Sequence, residues 1–241
     1  MSNPAWLGIG AQRSGTTWFT DLLTQHPEVS LGTNDEKEQQ KLQNVAEGRY
    51  DLEDYRALFP ADGLKRGEFT PSLMRHAAAG KLVRDELGDT QILCVLRDPI
   101  DRFVSAMRLS ETRNLKGRDV RPMSLRLYIQ THAGMYADCL ETWAHFLGRE
   151  RITVLVYERI REDPQSVVDG VWGSLGLSSV PLQQIDRPSN SSSAQDATFE
   201  FFDGLEEGLL AHYQHQVERL RHDWGLQIDD WKTAKYADAH R

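Results

Sequence analysis

Trp6-Leu7-Gly8-Ile9-Gly10-Ala11-Gln12-Arg13-Ser14-Gly15-Thr16-Thr17-Trp18-Phe19 is the stretch on which the reading of this chain turns. Trp6–Ile9 has the length and apolarity of a buried strand. Trp18, Phe19, Leu22 and Leu23 fall at helical spacing, so a helix follows, and His26-Pro27 stops it because the residue before proline is pushed out of the α region. Between them lie two glycines, an arginine and two threonines. Glycines at a strand end let backbone N–H groups converge, and the helix that follows adds its positive N-terminal end. The segment is therefore an anion site in outline. A plain strand-to-helix turn would use the glycines but has no need of Arg13, Ser14, Thr16 and Thr17 together.

Outward from this unit, short apolar runs alternate with amphipathic stretches, the pattern of βαβ units around a parallel sheet. Strands are expected at Val29–Leu31, Gly67–Phe69, Gln91–Leu96 and Ile152–Tyr157. Helices are expected over Leu52–Phe59, Leu73–Leu87, Pro99–Leu109, a long stretch near Ser124–Phe146, Pro164–Leu175 and about Phe199–Arg221. Gly32–Arg49 and Asp186–Asp196 lack periodicity and read as loops over the site or as flexible segments. No repeat or linker divides the chain. The expected fold is α/β: one three-layer, P-loop-like domain over residues 1–241, with a central, mainly parallel sheet flanked by helices.

Composition narrows the function. With 28 Lys+Arg against 36 Asp+Glu among 241 residues, the net charge is −8. That argues against general nucleic-acid binding, which needs a basic footprint, and against a long polyanionic partner. Two cysteines, Cys94 and Cys139, make no disulfide framework. Met1–Leu7 has no basic or apolar leader character, and the longest apolar runs are strand-length. A soluble, cytoplasmic protein with no membrane partner is expected; the oligomeric state is open.

Gly10 and Gly15 match the spacing of the nucleotide pattern G-x-x-x-x-G-K-[ST], but Thr16 stands where that pattern has lysine, the cation that reaches the terminal phosphates of a nucleoside triphosphate. Here the cation, Arg13, sits inside the loop. A second anion site is written in Leu96-Arg97-Asp98-Pro99-Ile100-Asp101-Arg102-Phe103-Val104-Ser105. Pro99 suits a first helical position and Asp98 an N-cap. Ile100, Phe103, Val104 and Met107 make a core stripe, which leaves Arg97 unexplained at a strand's carboxyl end, where open α/β sheets bind ligands. An arginine fork with the Ser105 hydroxyl suits a phosphate. An ATPase would make Asp98 a Mg²⁺ ligand and give Arg97 no role. A P-loop kinase or nucleotidase is the competing reading.

Together the two segments resemble the sulfotransferases that use 3′-phosphoadenosine 5′-phosphosulfate (PAPS). Gln12–Trp18 resembles their 5′-phosphosulfate loop and Leu96–Ser105 their 3′-phosphate motif. Gly67-Glu-Phe-Thr-Pro-Ser72 resembles the Gly-Glu-Lys-Thr-Pro segment of heparan-type and many bacterial members, with Phe69 in place of lysine. Gly134-Met-Tyr136 through Trp143, Val154–Glu158, Asp163-Pro164 and Gly176-Leu177 follow in the family's order. The resemblance implies that Arg13, Ser14, Gly15, Thr16 and Thr17 hold the 5′-phosphosulfate and that Arg97 and Ser105 hold the 3′-phosphate. Trp18 resembles an adenine-stacking position and equally suits a core place in the first helix. No metal is required for sulfuryl transfer on this reading. The acceptor would be a hydroxyl, less readily an amine, of a small molecule or saccharide.

An acceptor hydroxyl needs a base. Heparan-type relatives carry a Lys-Glu pair after the second strand, and Asn34-Asp-Glu-Lys37-Glu38-Gln39 lies there, making Glu38 the base and Lys37 its helper for sulfonate charge. Gln39-Gln40 replaces the aromatic pair usual beyond it, so Glu68 and His76 stay as alternatives. His212, His215 and His222 share one face of the last helix, opposite apolar Tyr213, Val217 and Leu220, and read as solvent-facing rather than metal ligands.

Overall fold

The computed structural model describes residues 2–33, 38–183 and 198–240. In chain order the elements are β1 (Trp6–Gly10), α1 (Thr16–Leu23), β2 (Val29–Leu31), α2 (Lys41–Ala46), α3 (Leu52–Arg56), β3 (Lys65–Phe69), a 3₁₀ turn (Pro71–Arg75), α4 (Ala77–Glu86), β4 (Gln91–Leu96), α5 (Pro99–Leu115), α6 (Met123–His132), α7 (Tyr136–Leu147), β5 (Ile152–Val156), α8 (Tyr157–Glu162), α9 (Pro164–Ser174), α10 (Leu205–His222) and α11 (Lys232–Ala239). They gather into two compact units, Met1–Leu96 with Cys139–Asp186, and Arg97–Asp138 with Arg187–Arg241.

The first unit holds a five-stranded sheet in the order β2-β3-β1-β4-β5, every pairing parallel. Strands buried on both faces must be apolar on both, and β1 is buried at all five positions. Leu93 and Val95 face one layer, where Trp18, Phe19, Leu22 and Leu23 of α1 pack with Val168, Val171 and Trp172 of α9. Cys94 points to the other face, its sulfur 3.9 Å from that of Met74. On that side Trp143 of α7 donates its indole N–H to the Met74 carbonyl at 3.1 Å. The expected three-layer α/β arrangement is the one found. The chain leaves β1 toward β2 and β3, then crosses back to β4 on the other side of β1. That reversal falls between β1 and β4, whose carboxyl ends are the place where open α/β sheets bind ligands.

The second unit packs Ile100, Phe103 and Met107 of α5 against Leu209 and Tyr213 of α10. Buried Arg102 donates to the Gln130 side chain at 3.1 Å and to its main-chain carbonyl, tying α5 to the end of α6.

Several boundaries differ from expectation. The long helix near Ser124–Phe146 is two helices, α6 and α7, interrupted around Gly134. A Cβ on Gly134 would stand 2.7 Å from Cε1 of Tyr213, whose hydroxyl donates to the Thr131 carbonyl at 2.8 Å, so a residue of α10 occupies the break. The apolar spacing runs straight through and conceals it. Pro99–Leu109 extends to Leu115. The last expected helix starts at Leu205, because Phe199 and Phe201 instead set their rings against Phe103, 5.8 and 6.2 Å between centroids. Within Gly32–Arg49, read as a loop, the short helix α2 forms around one buried residue, Leu42. The terminal helix α11 was not expected; it buries only Thr233, Ala234 and Ala237, too little apolar area to read as periodic. The segment Asp186–Asp196 lies outside the described residues.

Candidate active site

In the first unit the loop after β1 is built as an anion cradle. The Ala11 N–H donates to the Val95 carbonyl at 2.7 Å, which ties the loop's start to β4. Arg13 has φ +72° and Gly15 φ +81°, both left-handed, and Gly15 is the N-cap of α1 with no side chain capping the helix. An α-helix cannot satisfy its own first-turn N–H groups, which aim along the axis at whatever lies before it. Ser14 is 0% exposed and its hydroxyl has no hydrogen-bond partner among the described residues. A buried hydroxyl left unpaired costs about 1–3 kcal/mol, which a ligand oxygen would recover. Thr16 is buried, Thr17 exposed and Arg13 half-buried. An orphaned hydroxyl, a helix N-terminus and a loop arginine in one turn make a donor set suited to an anion.

Trp18 is a core residue here, 6% exposed, edge-to-face with Tyr157 at 6.3 Å and 77°. Tyr157, the first residue after β5, also lies against Gly15 and was not singled out from the sequence. Its signal was available: like Arg97 it stands directly past a strand, and β5 is the next strand to β4 in the sheet, with Val156 opposite Leu96.

Glu38 is exposed, and Lys37 lies outside the described residues. Glu68 on β3 is 0% exposed, with both carboxylate oxygens engaged: Tyr55 donates to one at 2.8 Å and Thr70 to the other at 2.7 Å. The Gln39 N–H donates to the same carboxylate. Burial pushes Glu68 above the usual carboxylate range, against these hydrogen bonds and the attraction of Lys41. Burial and then Glu68 push the Tyr55 hydroxyl well above its ordinary range. His76 is paired with Glu47 at 3.0 Å and held below the usual histidine range by burial and by Arg49. The geometry thus leaves Glu38 exposed and gives Glu68 and His76 other partners.

In the second unit, Asp98 caps α5, accepting from the N–H groups of Ile100 and Asp101 at 2.8 and 3.1 Å. Its other oxygen accepts from the N–H and hydroxyl of Thr233 at 3.1 and 3.2 Å, fastening the start of α11. Burial raises its pKa. A carboxylate spent on four protein donors is a structural cap, not a magnesium ligand. Arg97 is half-buried; its carbonyl accepts from the Tyr136 hydroxyl at 3.1 Å, and its guanidinium lies 3.6 Å from Asp101. Asp101 also pairs with Lys232 at 2.8 Å. Ser105 is half-buried two turns further along α5. His212, His215 and His222 are exposed, and no metal-binding group of histidine, cysteine and carboxylates occurs among the described residues. No helix among them is long and apolar enough to cross a membrane.

Comparison with known proteins agrees with this geometry. Residues 5–215 match the family model described as sulfotransferase domain. The heparan sulfate glucosamine 3-O-sulfotransferase 6 of Mus musculus is 28% identical over 192 residues, covering 73% of this chain and 53% of that protein. The bifunctional heparan sulfate N-deacetylase/N-sulfotransferase 4 of Mus musculus is 23% identical over 197 residues, covering 72% of this chain and 22% of that protein. The chain thus spans about half the length or less of these curated relatives. A crystal structure of a sulfotransferase from Alicyclobacillus acidocaldarius superposes with a TM-score of 0.73 at 23% identity, covering 96% of this chain and all of that one. The sulfotransferase domain from the curacin biosynthetic pathway gives a TM-score of 0.60 at 14% identity, with 94% and 99% covered.

Proposed function

The chain belongs to the sulfotransferase domain family, and from that premise we propose that it moves a sulfuryl group from PAPS to a hydroxyl of a saccharide or small-molecule acceptor. The observation that carries this reading is the loop itself. It has a buried, orphaned Ser14 hydroxyl and the cation Arg13 at a helix N-terminus, with Thr16 where a triphosphate site keeps its lysine.

When bound, PAPS supplies the sulfuryl group in activated form. Arg13, Ser14, Gly15, Thr16 and Thr17 would hold its 5′-phosphosulfate, and Arg97 and Ser105 its 3′-phosphate. Charge grows on the phosphate side as the sulfuryl group departs, and fixed donors aimed there stabilise it without reorganising. Glu38, exposed beside the buried Gln39, would take the proton from the acceptor hydroxyl. Lys37 would assist the sulfonate charge. These donors and the carboxylate base perform the reaction without a metal. The kinase reading is disfavoured by Thr16 and by Asp98, whose oxygens are spent on capping.

The relatives named above act on heparan sulfate, one as an O- and one as an N-sulfotransferase. Their acceptors support a saccharide among the small-molecule or saccharide acceptors proposed for this chain, short rather than polyanionic in view of its net charge of −8. A cytoplasmic setting is also part of the proposal, supported by two cysteines in 241 residues, one of them, Cys94, a packed core thiol. The test is transfer of labelled sulfate from PAPS to octyl β-glucoside, glucosamine, 1-octanol and heparan sulfate. Labelling of a short saccharide or alcohol above heparan sulfate supports the reading. Labelling of none rejects it.

A further inference from the structure

The chain's left-handed, non-glycine backbone is confined, among the described residues, to Arg13 at φ +72° and Gln40 at φ +52°. Such conformations are strained and persist only where neighbours enforce them. Arg13 belongs to the anion loop. Gln40 is two residues past the proposed base, Glu38, and something must hold that segment too.

The nearest fixed group is Glu68. Its carboxylate receives the N–H of Gln39, the residue between Glu38 and the strained Gln40. An N–H can only donate, so the carboxylate must accept, and Tyr55 and Thr70 fix its two oxygens from the sides at 2.8 and 2.7 Å. Glu68 is itself carried by β3, which pairs with β1 through Leu7 opposite Glu68. The strand is paired on both sides, the carboxylate is fully buried, and the peptide it grips adjoins an exposed glutamate.

We propose that Glu68 is a positioning residue, which anchors the Gln39 peptide so that Glu38 presents its carboxylate in a fixed place. The inference deepens the reading of Glu38 as the base. Tyr55 and Thr70 act in support, keeping both oxygens of Glu68 oriented. Losing a hydrogen bond to a charged acceptor frees the peptide it holds by about tenfold or more. Misplacing a reacting group by an ångström costs up to about a hundredfold in rate.

Two measurements on the full chain test this. In Glu68→Gln the Gln39 amide should exchange with solvent at least about tenfold faster, the cost of one charged hydrogen bond. An unchanged rate overturns the anchoring. The second is kcat for the best acceptor of the panel above, in wild type, Glu68→Gln, Glu38→Gln and the double variant. The expected pattern is a fall of about tenfold to a hundredfold in Glu68→Gln with KM for PAPS within about twofold, and no further fall when Glu68→Gln is added to Glu38→Gln. A second fall of equal size in the Glu38→Gln background shows Glu68 acting on something else and overturns the proposal. Full turnover in Glu38→Gln removes the base itself, a different failure from the first. Should Glu68→Gln not fold, Tyr55→Phe removes one supporting donor and must show the same pattern, weaker; wild-type exchange and turnover there contradict the proposal.

Discussion

Tyr157 lies against Gly15 so closely that a Cβ on the glycine would stand 2.5 Å from Cδ2 of the tyrosine ring. The same glycine has φ +81°, where a side chain is strained in any surroundings. The turn that starts α1 is therefore closed to any residue but glycine by two independent causes, one local and one tertiary.

Gly15→Ala should accordingly lose both stability and ligand. The backbone strain alone is about 1–2 kcal/mol, which for a chain of this length lowers Tm by about 2–8 °C. Affinity for adenosine 3′,5′-bisphosphate should fall more than about tenfold as the helix N-terminus is displaced, one hydrogen bond to a charged oxygen being enough for that. Calorimetry with and without the nucleotide checks both; wild-type values for the variant would contradict the cradle described here.

Arg97 should read the 3′-phosphate. In Arg97→Ala the preference for adenosine 3′,5′-bisphosphate over adenosine 5′-monophosphate should shrink by about tenfold to a hundredfold, the worth of charge-assisted hydrogen bonds. Binding of the monophosphate should hardly change. Equal losses for both nucleotides would place Arg97 elsewhere.

Asp98→Ala removes the cap of α5 and the tether of Thr233 together. A lost cap costs about 0.5–2 kcal/mol and the buried charged contacts about 1.5–3 kcal/mol more. The urea midpoint should drop accordingly, whereas Mg²⁺ should shift neither the variant nor the wild type. Stabilisation of the wild type alone by Mg²⁺ would restore Asp98 as a metal ligand.

Glu68 gives a pH signature. Its folded pKa is raised, so its contribution to stability is fully present below the unfolded value, about 4, and is lost as pH rises through the folded value. Glu68→Gln carries no such loss. The stability of wild type relative to this variant should therefore decline from pH 4 toward pH 7 in urea titrations. A gap that widens in favour of wild type over that range would mean that the hydrogen bonds outweigh burial.

Much of this was legible because parallel sheets speak plainly: β1, β4 and β5 are largely apolar runs, and past their carboxyl ends stand Arg13, Arg97 and Tyr157, of which packing does not need the two arginines. The first two stood out as charges; Tyr157 did not, because an aromatic after a strand reads as core. What stayed hidden depends on distant partners. Nothing near Gly134 announces that Tyr213 occupies the helix break, and α11 is tied to α5 by Thr233 on Asp98 and Lys232 on Asp101, 135 and 131 residues away. Glu68 read as a possible base because carboxylates near a site invite that role. Only its three donors show it is already engaged.

Thermal shift with adenosine 3′,5′-bisphosphate set against ATP with Mg²⁺ tests the account at its centre. Saturating bisphosphate at a hundred times its dissociation constant should stabilise the chain by about 2.7 kcal/mol, with Arg13→Ala abolishing the shift and ATP–Mg²⁺ giving little. A large shift with ATP–Mg²⁺ and none with the bisphosphate would contradict it.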